Sequence, residues 1–342
     1  MNVLITGGAG FIGSNAAEYY LRQGARVTVF DNFTRAGSKK NLTWLQGLSG
    51  DLHVINGDIR HFSQIRGIAK EMKAADLVLH LAAQVAVTTS VINPKEDFEI
   101  NVLGTIEVLE AMRKSASKAK LIYASTNKVY GHMETVRIKE LKTRYAYSDL
   151  PHGIAEEFPL DFYSPYGCSK GSADQYIHDY SRIYDLDTVV FRQSCIYGPR
   201  QFGVEDQGWV AWFMIAVYMI KKITVYGDGK QVRDLLFIDD LVRAYDLAYR
   251  NKQKTKGNIY NIGGGYKNSL SIWSEFKPIL ERLFGRKIHA RFAQARVGDQ
   301  KIFISDNRKA QKDFGWQPQV SLTTGLGLIY EWIKHNGTLF SK

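Results

Sequence analysis

Tyr166 and Lys170 stand four residues apart in the stretch SPYGCSK, residues 164–170. A phenol and an amine at that spacing share one face of a helix, an arrangement suited to taking up and returning a proton. An isolated phenol titrates near ~10, so it acts as a base at neutrality only where positive charge lowers its pKa by about three units, roughly 4 kcal/mol. The spacing alone does not select this pair, because among 19 tyrosines it recurs at Tyr218/Lys222, Tyr226/Lys230 and Tyr330/Lys334. Context does. Ser164 is a ready N-cap and Pro165 suits the first helical position, so a helix starts directly under Tyr166. Tyr218 and Lys222 close an apolar run, where Tyr packs and Lys reaches outward. Tyr226 and Lys230 bracket Gly-Asp-Gly, a turn, and Tyr330 and Lys334 belong to the last amphipathic helix.

A redox partner for such a base is legible at the N-terminus. TGGAGFIGS, residues 6–14, follows the first apolar strand and places Gly7, Gly10 and Gly13 at G-x-x-G-x-x-G spacing. Glycines permit a tight turn and a close backbone approach, and the helix start then faces a pyrophosphate. Asp31 ends the second strand, where a carboxylate binds both ribose hydroxyls and repels a 2′-phosphate; this favours NAD over NADP. Arg35 nearby leaves NADP open. Asp58 and Ile59, after the third strand, are placed to meet an adenine. The competing structural reading makes Asp31 a turn cap and Asp58 a helix cap.

The elements that must carry these residues alternate. Strands are predicted at Val3–Thr6, Val27–Phe30, His53–Ile55, Leu77–His80, Leu121–Ala124 and Thr188–Arg192, with helices at Ile12–Arg22, Phe98–Lys114 and Pro165–Tyr184. Such alternation predicts an α/β fold: a Rossmann-type doubly wound parallel sheet, covered on both faces. Past Gly198 the pattern loosens into a helix at Trp209–Met219, strands at Ile223–Val225 and Asp234–Phe237, and helices at Asp239–Tyr249 and Ser271–Phe284. The expected division is a dinucleotide-binding domain over residues 1–198 and a smaller C-terminal α/β substrate-binding lobe over 199–342, with some exchange of chain between them.

Composition excludes several classes. At 342 residues, 45% hydrophobic and 23% charged, the chain reads as globular. MNVLITGG lacks the pattern of a secretory signal, and the longest apolar run, Trp209–Ile220, is too short to span a bilayer. Cys168 and Cys195 are the only cysteines, too few for a disulfide framework or a cysteine zinc site, and no metal site is expected. A cytoplasmic protein without a membrane partner is expected. The net charge of +11 is scattered and no nucleic-acid motif accompanies it, so it reads as a basic surface that attracts an anionic small substrate.

The strings TGGAGFIGS, Asp31-Asn32, GDIR, HLAAQ, NVLGT, STNKVYG, SPYGCSK and VRD run through nearly the whole chain. Together they resemble the extended short-chain dehydrogenases/reductases of the NAD-dependent nucleotide-sugar epimerase/dehydratase family. The resemblance implies NAD contacts at Gly7, Gly10, Phe11, Ile12, Gly13, Asp31, Asn32, Asp58, Ile59, Leu81, Ala82, Ala83, Gln84, Asn101, Tyr166 and Lys170, with His80 ending a strand beside the cofactor. It makes Thr126 the third member of the reactive set, orienting or relaying the proton that moves to Tyr166. Related dehydratases carry acidic residues just after this position, whereas here Asn127 and Lys128 follow, so hydride transfer without elimination is implied.

On the substrate side the resemblance points to Thr126, Asn127, Gln207, Arg233 and Arg296, the two arginines as guanidinium ligands of a diphosphate. Arg233 paired with Asp234, and Arg296 in a loop with Asp299, are the structural alternatives. Trp209 lines the pocket or is core. Cys195 stands where many relatives have Asn, in RQSCIYG, and reads as a packed thiol. Longer strings, among them QVAVTTS and RQFGVEDQGWVAWF, are most similar to family members that act at C2 of a CDP-3,6-dideoxyhexose. A 4-epimerase of a UDP- or GDP-hexose and an idle NAD- or RNA-binding relative are the alternatives. Aromatic helix residues near Tyr176–Tyr184 suggest a homo-oligomer.

Overall fold

The computed structural model describes residues 1–296 and 298–340. Its centre is a sheet of seven parallel strands: β1 (Asn2–Thr6), β2 (Arg26–Asp31), β3 (Asp51–Asn56), β4 (Leu77–His80), β5 (Lys120–Thr126), β6 (Thr188–Gln193) and β7 (Ile259–Ile262). Their order across the sheet is β7-β6-β5-β4-β1-β2-β3. The chain runs outward from β1 in both directions, so a crevice opens at the carboxyl ends of β1 and β4, where ligands bind in doubly wound sheets. The apolar runs of β1, β4 and β5 are buried on both faces because helices cover each side.

All six strands expected from the alternation are present. The seventh, β7, was not anticipated: its sequence IYNI is short and flanked by Asn and Gly, and only its register with Val190–Gln193 makes it a strand. It returns a piece of the C-terminal half to the first sheet. Two helices also differ from expectation. The segment expected as one helix from Phe98 begins at Pro94, capped by Asn93, and widens into a π-turn at Glu99–Leu103 before Gly104–Lys114. Ser271 ends a strand paired with Val232, and the helix begins only at Phe276. Reciprocal bonds, Glu275 N–H to Ser271 Oγ and Ser271 N–H to the Glu275 carboxylate, both 2.9 Å, hold the turn between them.

The second layer of structure is built on the strand Val232–Phe237. It pairs with Cys195–Tyr197 and Ile302–Phe303 in parallel and with Ser269–Ser271 antiparallel. The apolar helix Trp209–Tyr218 buries Phe213 to Val217 beside it, and Trp209 packs edge-on against Phe276 at 5.3 Å, a core position. Among the described residues no helix is long and apolar enough to cross a membrane.

A buried polar network stands behind the crevice. The Asp174 carboxylate, fully buried, accepts from Ser125 Oγ at 2.7 Å and from Arg192 Nε at 3.0 Å and Nη2 at 3.1 Å. Arg192 Nη1 donates to the Tyr130 hydroxyl at 3.1 Å, which donates to Asn261 at 2.8 Å. The network ties β5, β6, β7 and the helix Pro165–Tyr184 around the residue that precedes Thr126. Asp174→Asn is expected to leave the Arg192 guanidinium buried without its counter-charge and to cost about 3–5 kcal/mol. Urea unfolding would show this as a lower midpoint; an unchanged midpoint would mean that the network bears no such load.

Candidate active site

The glycine loop leaves β1 and turns into the helix Phe11–Arg22, and its compactness is backbone-determined. A methyl group on Gly13 would sit 2.3 Å from the Gly7 carbonyl oxygen and 2.6 Å from Gly8 Cα. One on Gly7, whose φ is +70°, would sit 2.7 Å from Ala82 N, pushing against the loop after β4. The helix that follows has Gly10 as N-cap, with no side-chain cap and no acidic residue in its first turn. Its N-terminal N–H groups are therefore left to an anionic ligand. The Asp31 carboxylate accepts from Ala9 N–H at 3.0 Å and Phe33 N–H at 2.7 Å, which fixes the loop. Burial raises its pKa while those N–H groups pull it back. A cradle closed to a Cβ, an uncapped helix start and a carboxylate at the end of β2 fit a dinucleotide.

Other expected cofactor residues have structural partners. Asp58 forms an ion pair with Arg60 at 2.7 Å and accepts from Asn32 at 3.0 Å; hydrogen bonds from Arg60 and Asn32 outweigh burial and hold its carboxyl at about 2. Ile59 is buried, with its side chain against Gly104. Gln84 and Asn101 bind one another: Gln84 N–H donates to Asn101 Oδ1 at 2.9 Å and Asn101 Nδ2 to the Gln84 carbonyl at 3.1 Å. Asn101 also donates to Ser169 Oγ at 2.9 Å, so the π-turn clamps the Leu81–Gln84 loop to the helix that carries Tyr166. His80 is buried between Thr6 and Thr105. Thr105 uses its proton on the Asn101 carbonyl, so His80 Nε2 donates to Thr105 and Nδ1 accepts from Thr6. Burial and then Lys170 push its pKa to about 3, leaving it neutral.

Tyr166 and Lys170 share the buried face of one helix, as their spacing implied. Ser164 caps the helix Pro165–Tyr184 by accepting from Gly167 N–H at 3.2 Å, and Tyr166, Ser169 and Lys170 are on its buried face. Thr126 ends β5; its hydroxyl donates to Asn127 Oδ1 at 3.4 Å, and it neighbours the Tyr166 phenol, whose pKa it lowers. Lys170 does not bond the phenol: its ammonium donates to the Ala124 carbonyl at 2.6 Å and lies 4.1 Å above the Tyr123 ring. Burial pushes Tyr166 up to about 12; the Thr126 hydroxyl and the Arg35 charge pull it down and Asp97 pushes it up. Burial likewise lowers Lys170 to about 7, against Asp174 and Asp97. A single opposite charge shifts a neighbour by about one to three units, so Arg35 alone does not bring the phenol to neutrality and more positive charge is needed.

Arg35 is a residue whose place the sequence did not reveal. Rather than standing at the ribose edge, it donates to Gln207 Oε1 at 2.6 Å and acts on Tyr166. Arg233 does not pair with Asp234, whose carboxylate accepts from Gly265 and Ser305 N–H at 3.0 Å each. It faces Asp299 at 3.5 Å. Arg296 pairs with Asp206 at 2.9 Å and stacks on Tyr226 at 3.8 Å. Asn127 is buried and donates to Gln300 at 3.1 Å. Cys195 is partly buried, and burial raises its thiol pKa. A cavity of about 580 Å³ under the hairpin at residues 138–147 is lined by Met133, Tyr145, Tyr147, Gln231, Asp299 and Gln300; it adjoins the substrate-side loop and not the reactive set. Among the described residues no cluster of His, Cys, Asp and Glu could hold a metal ion.

The chain is similar over nearly its whole length to known proteins. The family model described as GDP-mannose 4,6 dehydratase matches residues 4–328. The CDP-paratose 2-epimerase of Salmonella typhi is 47% identical over 338 residues, 97% of this chain and 99% of that one. The UDP-glucuronic acid 4-epimerase of Bacillus cereus, solved with UDP-glucuronic acid and NAD, superposes with a TM-score of 0.84 at 30% identity, over 98% of this chain and 99% of that one. A dTDP-glucose 4,6-dehydratase from Streptomyces venezuelae, solved with NAD bound, gives 0.85 at 29% identity, over 99% and 98%.

Proposed function

We propose, since the chain belongs to the GDP-mannose 4,6 dehydratase family of sugar-nucleotide epimerases and dehydratases, that it is an NAD-dependent nucleotide-sugar epimerase that inverts C2 of CDP-paratose to give CDP-tyvelose. The observation that carries epimerisation over dehydration is the pair after Thr126. Asn127 is bonded to Gln300 and Lys128 contacts Asp299, so neither position offers the carboxylate that related dehydratases use as acid and base for loss of water. The relative from Salmonella supports C2 and the CDP-sugar.

Tyr166 takes the proton of the sugar hydroxyl, with Thr126 orienting that oxygen. NAD held in the glycine-loop cradle would supply the hydride acceptor and donor, and its nicotinamide charge would favour the phenolate. Between the two transfers the keto-sugar presents its other face, and Tyr166 then returns the proton, so the carbon inverts with no net redox change. Lys170, anchored on Ala124, supports the end of β5 and the cofactor. The backbone of the glycine loop and of Leu81–Gln84 forms the dinucleotide bed, Asp31 reads the ribose, and Arg233 meets the substrate diphosphate.

The division into residues 1–198 for the cofactor and 199–342 for the substrate belongs to the same reading, as does a cytoplasmic site of action. Exposed Tyr176, Ile183 and Tyr184 on the helix Pro165–Tyr184 support pairing with a second copy. The test is to purify the protein, assay it for retained NAD, and offer CDP-, UDP- and GDP-sugars in deuterated water. Inversion at C2 of CDP-paratose without deuterium at that carbon is expected. Inversion only at C4 of a UDP- or GDP-hexose would overturn the assignment.

A further inference from the structure

Lys128 follows the reactive threonine by two residues, in the 3-10 turn Asn127–Tyr130. Its side chain is only 18% exposed, and its ammonium donates to the Gly298 carbonyl at 3.0 Å. The Arg233 side chain, from the strand Val232–Phe237, is 8% exposed. Both cations face one carboxylate: Asp299 Oδ1 is 4.0 Å from Lys128 Nζ and 3.5 Å from Arg233 Nη2. These contacts are loose beside Arg60–Asp58 at 2.7 Å or Arg192–Asp174 at 3.0 Å. Of the other ionisable neighbours, Cys195 and Tyr147 have their pKa values raised by burial and offer no counter-charge, and the Asp234 carboxylate is engaged by Gly265 and Ser305 N–H at 3.0 Å each.

Two cations and one carboxylate leave one positive charge in a poorly solvated place. Buried charge is costly unless paired, and among the described residues none pairs this one closely. An anion that binds N–H donors at 2.7–2.9 Å would do so more closely than Asp299 does. A nucleoside diphosphate supplies such oxygens.

We propose that Lys128 is a second diphosphate ligand beside Arg233, holding the phosphate nearer Thr126 and so setting how the sugar meets Tyr166. This rests on the nucleotide-sugar reading, but it concerns binding alone and is measured without turnover. Burial and the Arg233 charge, opposed by Asp299, lower the Lys128 pKa to about 8. Protonated lysine is the binding form, and a bound anion raises its pKa. Affinity therefore falls as pH rises through about 8, where a nucleoside diphosphate has already lost its titratable phosphate proton.

Calorimetric titration of the NAD-loaded protein with CDP and with UDP, from pH 7 to 9, tests this. Expected for the wild type is weakening across that range. Lys128→Met is expected to bind about ten- to a hundredfold more weakly at pH 7 and to lose that pH dependence. Lys128→Arg, cationic throughout, is expected to restore affinity and stay flat with pH. Thermal melting of each variant separates a binding loss from misfolding. Affinity of Lys128→Met equal to the wild type, or a pH slope that survives in Lys128→Arg, would overturn the proposal. CDP binding that depends on Lys128, with no sugar nucleotide turned over, would leave this inference standing and remove the epimerase reading. Failure of the wild type to bind either nucleotide would remove both.

Discussion

Tyr166→Phe is expected to lower epimerase turnover by about a thousandfold or more, within the span ascribed to a positioned acid–base group, while NAD stays bound. The ring that fills the buried face of the helix Pro165–Tyr184 is kept, and the change removes only the hydroxyl beside Thr126. The glycine cradle is on a different loop and is untouched. Retained NAD and an unchanged melting temperature alongside lost turnover would assign the proton transfer to this oxygen. Turnover within tenfold of wild type would mean that another group takes the proton, and none of the other Tyr-x-x-x-Lys pairs is near Thr126 in the hydrogen-bond pattern.

Gly13→Ala is expected to weaken NAD binding by about a hundredfold or more, roughly 3 kcal/mol. The added methyl would meet Gly7 O at 2.3 Å and Gly8 Cα at 2.6 Å, both backbone atoms, so the loop itself must shift. Gly10→Ala meets only Gly7 O, at 3.1 Å, and is expected to cost less. Gly327, on the last long helix, has nothing within 4 Å of an added Cβ. There Ala is expected to stabilise the fold by about 0.5–1 kcal/mol and leave NAD untouched. Fluorescence titration of cofactor-stripped protein ranks the three. Equal NAD affinity in Gly13→Ala and Gly327→Ala would show that the cradle does not hold the dinucleotide.

What was legible in the chain is what local order encodes. The strand–helix alternation, the capped start at Ser164-Pro165, the glycine spacing before the first helix and the shared face of Tyr166 and Lys170 each depend on residues within one or two turns of each other. Their geometry follows from backbone sterics and helical period. The six strands, and the helix Pro165–Tyr184 to its last residue, came from this alone. The family motifs added Thr126, 40 positions from Tyr166 in the chain, which no spacing rule could supply.

Tertiary structure decided the rest. IYNI becomes a strand only because β6 offers a free edge. Asn101 and Gln84 look like cofactor contacts in isolation, yet each satisfies the other across a π-turn that periodicity does not foresee. Lys170, expected to bear on the phenol directly, donates its hydrogen bond to the Ala124 carbonyl, and burial keeps the phenol protonated until more positive charge arrives. Lys128 was informative in the sequence only as a missing carboxylate. Its convergence with Arg233 and Asp299 joins segments more than a hundred residues apart. The chain thus determined by itself the bed for a dinucleotide and the helix bearing the base, because those are short-range properties. Which buried charges lack a close partner among the described residues was settled only by folding, because burial and distance between remote segments set the electrostatics.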